Sequence, residues 1–353
     1  MAEQSWNAVG LMSGTSLDGL DLAACQFTRD GDCWKYRLVA STTALYTDEW
    51  THKLSHSMEM SAVELVQLDA DYGKWMGNQV KAFIAQYQLD VDFIASHGHT
   101  VFHRPGLGFS TQIGHGAHIA AASGKPVICD FRSSDVALGG QGAPLVPIGD
   151  ALLFSTFQYC LNLGGVANIS FDDQGKRVAF DICPANMVLN YLANKKGLRY
   201  DEGGKLASSG EIIPGVLSEL NSLPWYRMFP PKSLGREWFQ EEFLPIVLQG
   251  NHPIENLLRT CCEHISYQVA QVIQPAPGKI LVTGGGAWNH FLVDRIREKT
   301  QADVVVPDRG TVDFKEAIIF AFLGVLRWLG EPNCLESATG ARKSVSGGCI
   351  YLA

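Results

Sequence analysis

What the sequence lacks narrows its function first. It contains no Gly-x-x-x-x-Gly-Lys-Ser/Thr, which excludes a P-loop, and no Gly-x-Gly-x-x-Gly at a strand-to-helix turn, as a dinucleotide site requires. The Val-Ala-Ile-Lys and Asp-Phe-Gly elements of protein kinases are missing too. No Cys-x-x-Cys occurs, the nine cysteines are odd in number, and Cys261 and Cys262 are adjacent. That usage suits free thiols in a reducing compartment, not a disulfide scaffold or a zinc knuckle. The 28 Lys and Arg are outnumbered by 36 Asp and Glu, for a net charge of −8. A broad grip on nucleic acid or on an anionic membrane is therefore not expected. Met1–Trp6 has neither the basic nor the apolar run of a signal peptide. The most apolar helix candidate, Ala317–Leu323, meets Arg327 before the ~20 residues of a membrane span. A cytoplasmic globular protein is expected.

Apolar material is ample: 46% of 353 residues are hydrophobic, enough for two domains at roughly 150 residues each. Trp6–Met12 and Leu20–Phe27 read as strands joined by the turn Ser13–Gly19. Ser61 and Glu64 form a capping box ahead of a helix from Val63 to Tyr87. Val91–Ser96 reads as a strand ending on loop histidines 97, 99 and 103, Ile113–Ala122 as a helix and Pro126–Cys129 as a strand. Gly139–Pro144 reads as a flexible junction. Beyond it the layout begins again. Strands Tyr159–Leu163 and Val166–Phe171 flank Gly164-Gly165, Val178–Ile182 follows, and Pro184 opens a helix. Helices near Glu237–Leu248 and Ile254–Ile273, strand Lys279–Thr283, a helix from Trp288, strand Val304–Val306 and a helix from Asp313 complete the order. The alternation predicts α/β domains, residues 1–138 and 139–353, with a C-terminal helix able to join the first. Two such halves facing one another form a cleft for a ligand.

The turn Gly14-Thr15-Ser16-Leu17-Asp18-Gly19 offers backbone N–H groups and hydroxyls to an anion, and Asp18 can hold Mg²⁺ through water. The same residues suit a plain hairpin turn. A second turn of this type, Asn162–Asn168 with Gly164 and Gly165, favours two loops gripping a polyphosphate. Gly284-Gly285-Gly286 lets a flat ring approach the backbone, as adenosine needs, or makes a tight strand-to-helix turn. Asp181 closes a strand, where ligands of open α/β sheets bind, and can act as a base or cap the next helix. His97, His99 and His103 match no zinc signature. Arg132 can clamp a carboxylate, or pair with Asp130 or Asp135. Lys315-Glu316 faces either the cleft or solvent.

In their joint order these segments resemble the anhydro-N-acetylmuramic acid kinase family of the hexokinase/actin/Hsp70-like ATPase superfamily. The resemblance is carried by Gly10–Asp21, Ser96–Thr100 with His103–Pro105, Asp130–Arg132 through Gly139–Pro147, Asn162–Ile169, Pro230–Glu237, Thr283–Ala287 and Lys315–Ala317. It implies two ribonuclease-H-like (actin/hexokinase-like ATPase) domains around a central cleft that binds ATP with Mg²⁺ and a small amino-sugar substrate, in a homodimer. The nucleotide falls to Gly14, Thr15, Ser16, Leu17, Asp18, Gly19, Leu20, Asp21, Asn162, Gly164, Gly165, Gly284, Gly285 and Gly286. The sugar falls to His97, Arg132, Asn186 and Glu316, and the catalytic base is Asp181. One departure stands out. The family usually reads Asp-Thr-Gly-Pro-Gly/Ala-Asn, where this chain has Asp181-Ile182-Cys183-Pro184-Ala185-Asn186. The alternatives are a superfamily kinase that consumes no water and a non-catalytic nucleotide-dependent binding module.

Overall fold

The computed structural model describes residues 4–14, 17–230, 232–273 and 278–353. The chain divides into two compact units, one formed by residues 1–153 and 314–353, the other by residues 154–313. The sequence-expected junction at 138/139 lies within the first unit, and the C-terminal segment returns to that unit.

In the first unit β1 (Gln4–Ser13) and β2 (Gly19–Asp30) pair antiparallel as the expected hairpin, with Ser13 opposite Leu20. Thr15 and Ser16 lie outside the described residues. β3 (Cys33–Leu45) extends the sheet antiparallel to β2, and β4 (Phe93–Arg104) lies parallel to β1 on the other side. β5 (Phe109–Ile113) folds back on β4, β6 (Val127–Cys129) runs parallel to β4, and the C-terminal β12 (Cys349–Tyr351) pairs with β6. The order is therefore β12-β6-β4-β1-β2-β3.

Strand alternation assigns the two faces. Val9 and Leu11 of β1 join Leu68, Tyr72, Met76 and Val80 of helix Ala62–Tyr87 in one core. Its capping box is present, with Glu64 accepting from the Ser61 N–H at 2.8 Å. Gly10 points the other way, toward helix Arg309–Trp328, and a Cβ there would overlap the Ala317 carbonyl oxygen. Gly324 similarly leaves room for Ala95 and Phe93 of β4. Small residues thus set that helix directly on the sheet, where it buries Ile318, Ile319, Phe320, Phe322 and Leu323.

The second unit repeats the topology. β7 (Tyr159–Leu163), β8 (Val166–Asp173) and β9 (Lys176–Pro184) form an antiparallel meander, and β10 (Lys279–Thr283) and β11 (Asp303–Val305) follow β7 in parallel. The order is β11-β10-β7-β8-β9. In each unit three consecutive strands form a meander whose first strand takes parallel neighbours on its free side. That is the ribonuclease-H-like pattern expected, and the chain is mixed α/β. Helices Asn186–Asn194, Ile254–Ile273 and His290–Lys299 supply Leu189, Leu258, Ile265 and Leu292 to this unit's core.

Several local expectations are corrected. The histidines sit within β4, not on a loop, because the strand continues eight residues past Ser96. Pro184 ends β9, and the helix begins at Asn186. Gly139–Pro144 is pinned, not loose: the Gly142 N–H donates to Asp135 Oδ2 at 2.7 Å, and Arg132 donates to the Gly142 carbonyl.

Candidate active site

The catalytic candidate Asp181 owes its position to a β-bulge. Asn168 of β8 pairs with Asp181 and Ala167 with Cys183, which leaves Ile182 as the extra residue. Bulges re-aim side chains and recur next to active sites. Ile182 and Cys183 turn into the core, 2% and 0% exposed, while Asp181 stays half-buried. Ile182 and Cys183 therefore serve packing. Asp181 Oδ2 accepts from the Leu234 N–H at 2.8 Å and from the Ser233 hydroxyl at 3.1 Å. Among the described residues, none donates to Oδ1. Burial raises the Asp181 pKa, and the two donors on Oδ2 oppose that rise.

Asn186 follows at the start of its helix and donates from Nδ2 to the Leu163 carbonyl at 2.9 Å. The N–H groups of Asn186 and Met187 donate to Gly164 and Gly165 at 3.0 Å each, tying this helix start to the β7–β8 turn. The turn after β10 lies against the same place, since a Cβ at Gly284 would overlap Asn162 Oδ1, and one at Gly286 would approach Leu163 Cβ to 2.7 Å. Asn162, Gly164, Gly165, Asn186 and Gly284–Gly286 thus form one cluster in the second unit.

The glycines of that cluster differ in what they require. Gly284 has φ +81° and no space for a side chain, so the fold itself demands it. Gly286 is also crowded. Gly165 and Gly285 show no positive φ, and a Cβ would meet nothing nearer than 4.0 and 3.7 Å. No packing inside the unit explains glycine at 165 or 285, and the open space there leaves room for a phosphate or a nucleoside to approach the backbone. These positions fit ATP.

The first unit holds the second group. Leu17 takes φ +57°, an uncommon conformation for a residue with a branched side chain, at the Gly14–Gly19 turn. Asp18 is exposed there, and Leu20 and Asp21 lie on β2. Ser13 anchors the turn through His99 Nδ1 at 2.9 Å and Tyr46 OH at 2.7 Å, and Tyr46 OH meets Tyr72 OH at 2.6 Å. Thr43 Oγ1 donates to Asp21 Oδ1 at 2.6 Å.

His97 is 5% exposed, and both ring nitrogens are engaged. Nδ1 donates to the Gly98 carbonyl at 2.9 Å, and Nε2 accepts from Arg132 Nη2 at 2.8 Å. Burial and the Arg132 charge hold His97 well below the ordinary histidine pKa, consistent with a neutral ring. Arg132 pairs with neither Asp130 nor Asp135: Asp130 accepts from Ser133, and Asp135 from Gly142, Thr339 and Cys334. Arg132 acts instead on Glu316, an exposed residue whose carboxylate is crowded by protein. Loss of solvation raises the Glu316 pKa, Lys315 and Arg132 lower it, and Asp21 raises it. His97, Arg132, Asp21 and Glu316 therefore belong to one group. Neighbouring Lys315, on another face of the helix, makes a buried ion pair with Asp150 at 2.7 Å.

Among the described residues, no three His, Cys, Asp or Glu side chains come together as a metal site. Mg²⁺ held through phosphates and one or two carboxylates needs no such group. A hollow of about 220 Å³ lined by Asn7, Cys25, Arg37 and Asp90 contains none of the expected site residues.

Comparison with known proteins decides the family, because a model described as "Anhydro-N-acetylmuramic acid kinase" matches residues 7–353. The chain belongs to the anhydro-N-acetylmuramic acid kinase family. It is 34% identical to the protein of that name from Bacillus cereus (strain AH187), over 95% of this chain and 96% of that one. It is 35% identical to the one from Ruegeria sp. (strain TM1040), covering 98% and 94% of the two chains. Among solved structures it is similar to the activator of the 2-hydroxyisocaproyl-CoA dehydratase from Clostridium difficile with bound ADPNP. That similarity is 13% in identity with a TM-score of 0.42, over 89% of this chain and 92% of that one. As a member of the anhydro-N-acetylmuramic acid kinase family, the chain is an enzyme of the kinase class. No helix among the described residues is long and apolar enough to cross a membrane.

Proposed function

We propose that this chain is an ATP-dependent kinase that opens 1,6-anhydro-N-acetylmuramic acid with water and phosphorylates O6. The products are N-acetylmuramic acid 6-phosphate and ADP, in peptidoglycan turnover and cell-wall recycling in the cytoplasm. The observation that supports this best is the asymmetric Asp181 carboxylate, with Oδ2 held by two donors and Oδ1 accepting none from the described residues. Such a carboxylate has a fixed orientation and one oxygen available as a base.

In this reading Asp181 Oδ1 accepts a proton from the water that adds to the anomeric carbon as the anhydro bridge opens. Bound ATP with Mg²⁺ supplies the phosphoryl group that captures the departing O6, where an inverting glycosidase would use a general acid. Gly14, Thr15, Ser16, Leu17, Asp18, Gly19, Leu20 and Asp21 hold phosphates with Mg²⁺ at Asp18. Asn162, Gly164, Gly165 and Gly284–Gly286 hold the remainder of the nucleotide. These contacts act by positioning and electrostatics. Arg132, oriented by His97, takes the lactyl carboxylate, and Asn186 and Glu316 contact the sugar. The active form is a homodimer, which sedimentation would check.

The test is ADP release with and without the anhydro-sugar, for wild type and Asp181→Asn, in water enriched in oxygen-18. Sugar-dependent turnover, label at the anomeric hydroxyl and a loss of at least a hundredfold in Asp181→Asn are expected. Turnover without label would point to a kinase that consumes no water. No sugar-dependent turnover in wild type would overturn the reading.

A further inference from the structure

One motif has no role in the reaction as described so far: Lys232-Ser233-Leu234, an irregular segment before the helix that begins at Arg236, with Ser233 exposed and Lys232 and Leu234 half-buried. It is built onto the candidate base from several sides. The Lys232 carbonyl accepts from the Asp181 N–H at 3.2 Å, while the Ser233 hydroxyl and Leu234 N–H donate to Oδ2. No other side chain among the described residues donates a hydrogen bond to that carboxylate.

The segment is fixed where it starts and where it ends. Trp225 is 8% exposed and donates from Nε1 to the Ile182 carbonyl at 3.0 Å, directly beside Asp181. Lys232 Nζ lies 5.2 Å from the Trp225 ring and 5.8 Å from that of Phe180, the other neighbour of Asp181. Trp238, past the segment's end, packs on Trp225 with ring centroids 5.6 Å apart. Tyr226 is held by a buried chain, its hydroxyl 2.8 Å from His264 Nε2 and His264 Nδ1 2.7 Å from Asn221 Oδ1. Lys232 thus meets Phe180, the whole segment meets Asp181, and Trp225 holds Ile182.

We propose that Lys232-Ser233-Leu234 is a positioning strap for Asp181, with Ser233 the residue that orients the carboxylate and sets how readily it takes a proton. The proposal rests on the reading of Asp181 as the base. Both donors engage Oδ2, so Oδ1 is presented at a fixed angle. Both also favour the ionised form, against the burial that disfavours it. The other titratable groups around Asp181 are Lys232, on the strap, and the buried Cys183 thiol, two residues along β9. Burial pushes the Cys183 thiol far above its ordinary range, so it stays neutral at working pH, and burial lowers the Lys232 pKa while the Cys183 thiol opposes that. The Cys183 thiol therefore does not titrate where Asp181 does.

The experiment compares pH profiles of kcat/KM for sugar-dependent ADP release in wild type, Ser233→Ala, Ser233→Thr and Asp181→Asn, with Tm measured for each. Removing one donor to the ionised form makes Asp181 easier to protonate. The acid limb of Ser233→Ala should therefore move to higher pH by about half a unit or more. Ser233→Thr keeps a hydroxyl and should return the limb toward wild type. Tm should change little, since Ser233 is exposed. An unmoved acid limb in Ser233→Ala, with Asp181→Asn inactive, would overturn the strap while leaving the base intact. Full activity in Asp181→Asn would remove the base and the strap with it. A uniform loss of kcat/KM at every pH in Ser233→Ala would mean mere structural support and would also overturn the proposal.

Discussion

At the scale of single residues, glycine carries two different messages in this chain. Gly284 is required by its backbone and by the Asn162 side chain against it. Gly165 and Gly285 are required by nothing inside the unit. Alanine substitution should separate these causes. Gly284→Ala combines a φ tolerated only by glycine, costing ~1–3 kcal/mol, with an overlap of similar cost, so its Tm should fall by several degrees. Gly165→Ala and Gly285→Ala should keep Tm within about one degree, because the expected stability change is within ~0.5 kcal/mol. Their KM for ATP should rise roughly tenfold or more, as about 1.4 kcal/mol of lost phosphate or nucleoside contact would give. A wild-type KM for ATP in both variants would break the assignment of these glycines to the nucleotide. The three adjacent glycines look alike in sequence because φ and the neighbouring strand are not visible there.

At the scale of elements, much was legible where the physics is local. The β1–β2 hairpin, the capped helix Ala62–Tyr87 and helix Ile254–Ile273 follow from alternation, capping and period. β3 did not, because it is a strand at the sheet edge with mostly half-exposed residues and no clear apolar alternation. β4 seemed to stop at Ser96 because Gly98 and three histidines look like loop residues, yet the strand carries His97 to Arg132 and His99 to Ser13. Asp181 and Glu316 could be picked out by type and position. The Ser13–Tyr46–Tyr72 chain could not, because its members are up to 59 residues apart, bridged through Tyr46. The buried histidines have a consequence for stability. Burial lowers the His99 pKa to about 4 and that of His264 to about 3. The unfolded chain binds these protons near pH 6.5 and the folded chain only below those values. Stability should then be fully present above about pH 6.5 and fall as the pH is lowered, each histidine contributing roughly 1.4 kcal/mol per pH unit across its window. Tm measured from pH 7 to pH 4.5 should decline less steeply in His264→Gln, whose amide can still meet Tyr226 and Asn221. Equal slopes for the variant and wild type would mean His264 is not part of the acid response.

At the scale of the whole molecule, the two units repeat one topology but differ in how the chain closes them. Among the described residues, the apolar core of the second unit draws only on those between Tyr159 and Val312. The first unit is discontinuous and depends on a helix that arrives after the second unit is complete. Gly10 of β1 has no side chain because the backbone of that helix at Ala317 occupies the space, and Gly324 meets β4 in the same way. Without the helix, one face of the first sheet loses the burial of Ile318, Phe320, Phe322 and Leu323, roughly 1.5–3 kcal/mol for each large side chain. That sum, about 6–12 kcal/mol, is comparable to the usual stability of a whole domain. A polypeptide of residues 154–313 alone should therefore melt cooperatively with native near-ultraviolet circular dichroism. A chain truncated after Asp313 should retain that transition and bind a hydrophobic dye through its first unit, with the β1–β4 sheet unprotected in amide exchange. Residues 154–313 melting without cooperativity would mean that the second unit needs the first in order to fold. Protection of β1 and β4 in the truncated chain would mean that the sheet stands without the helix that Gly10 makes room for.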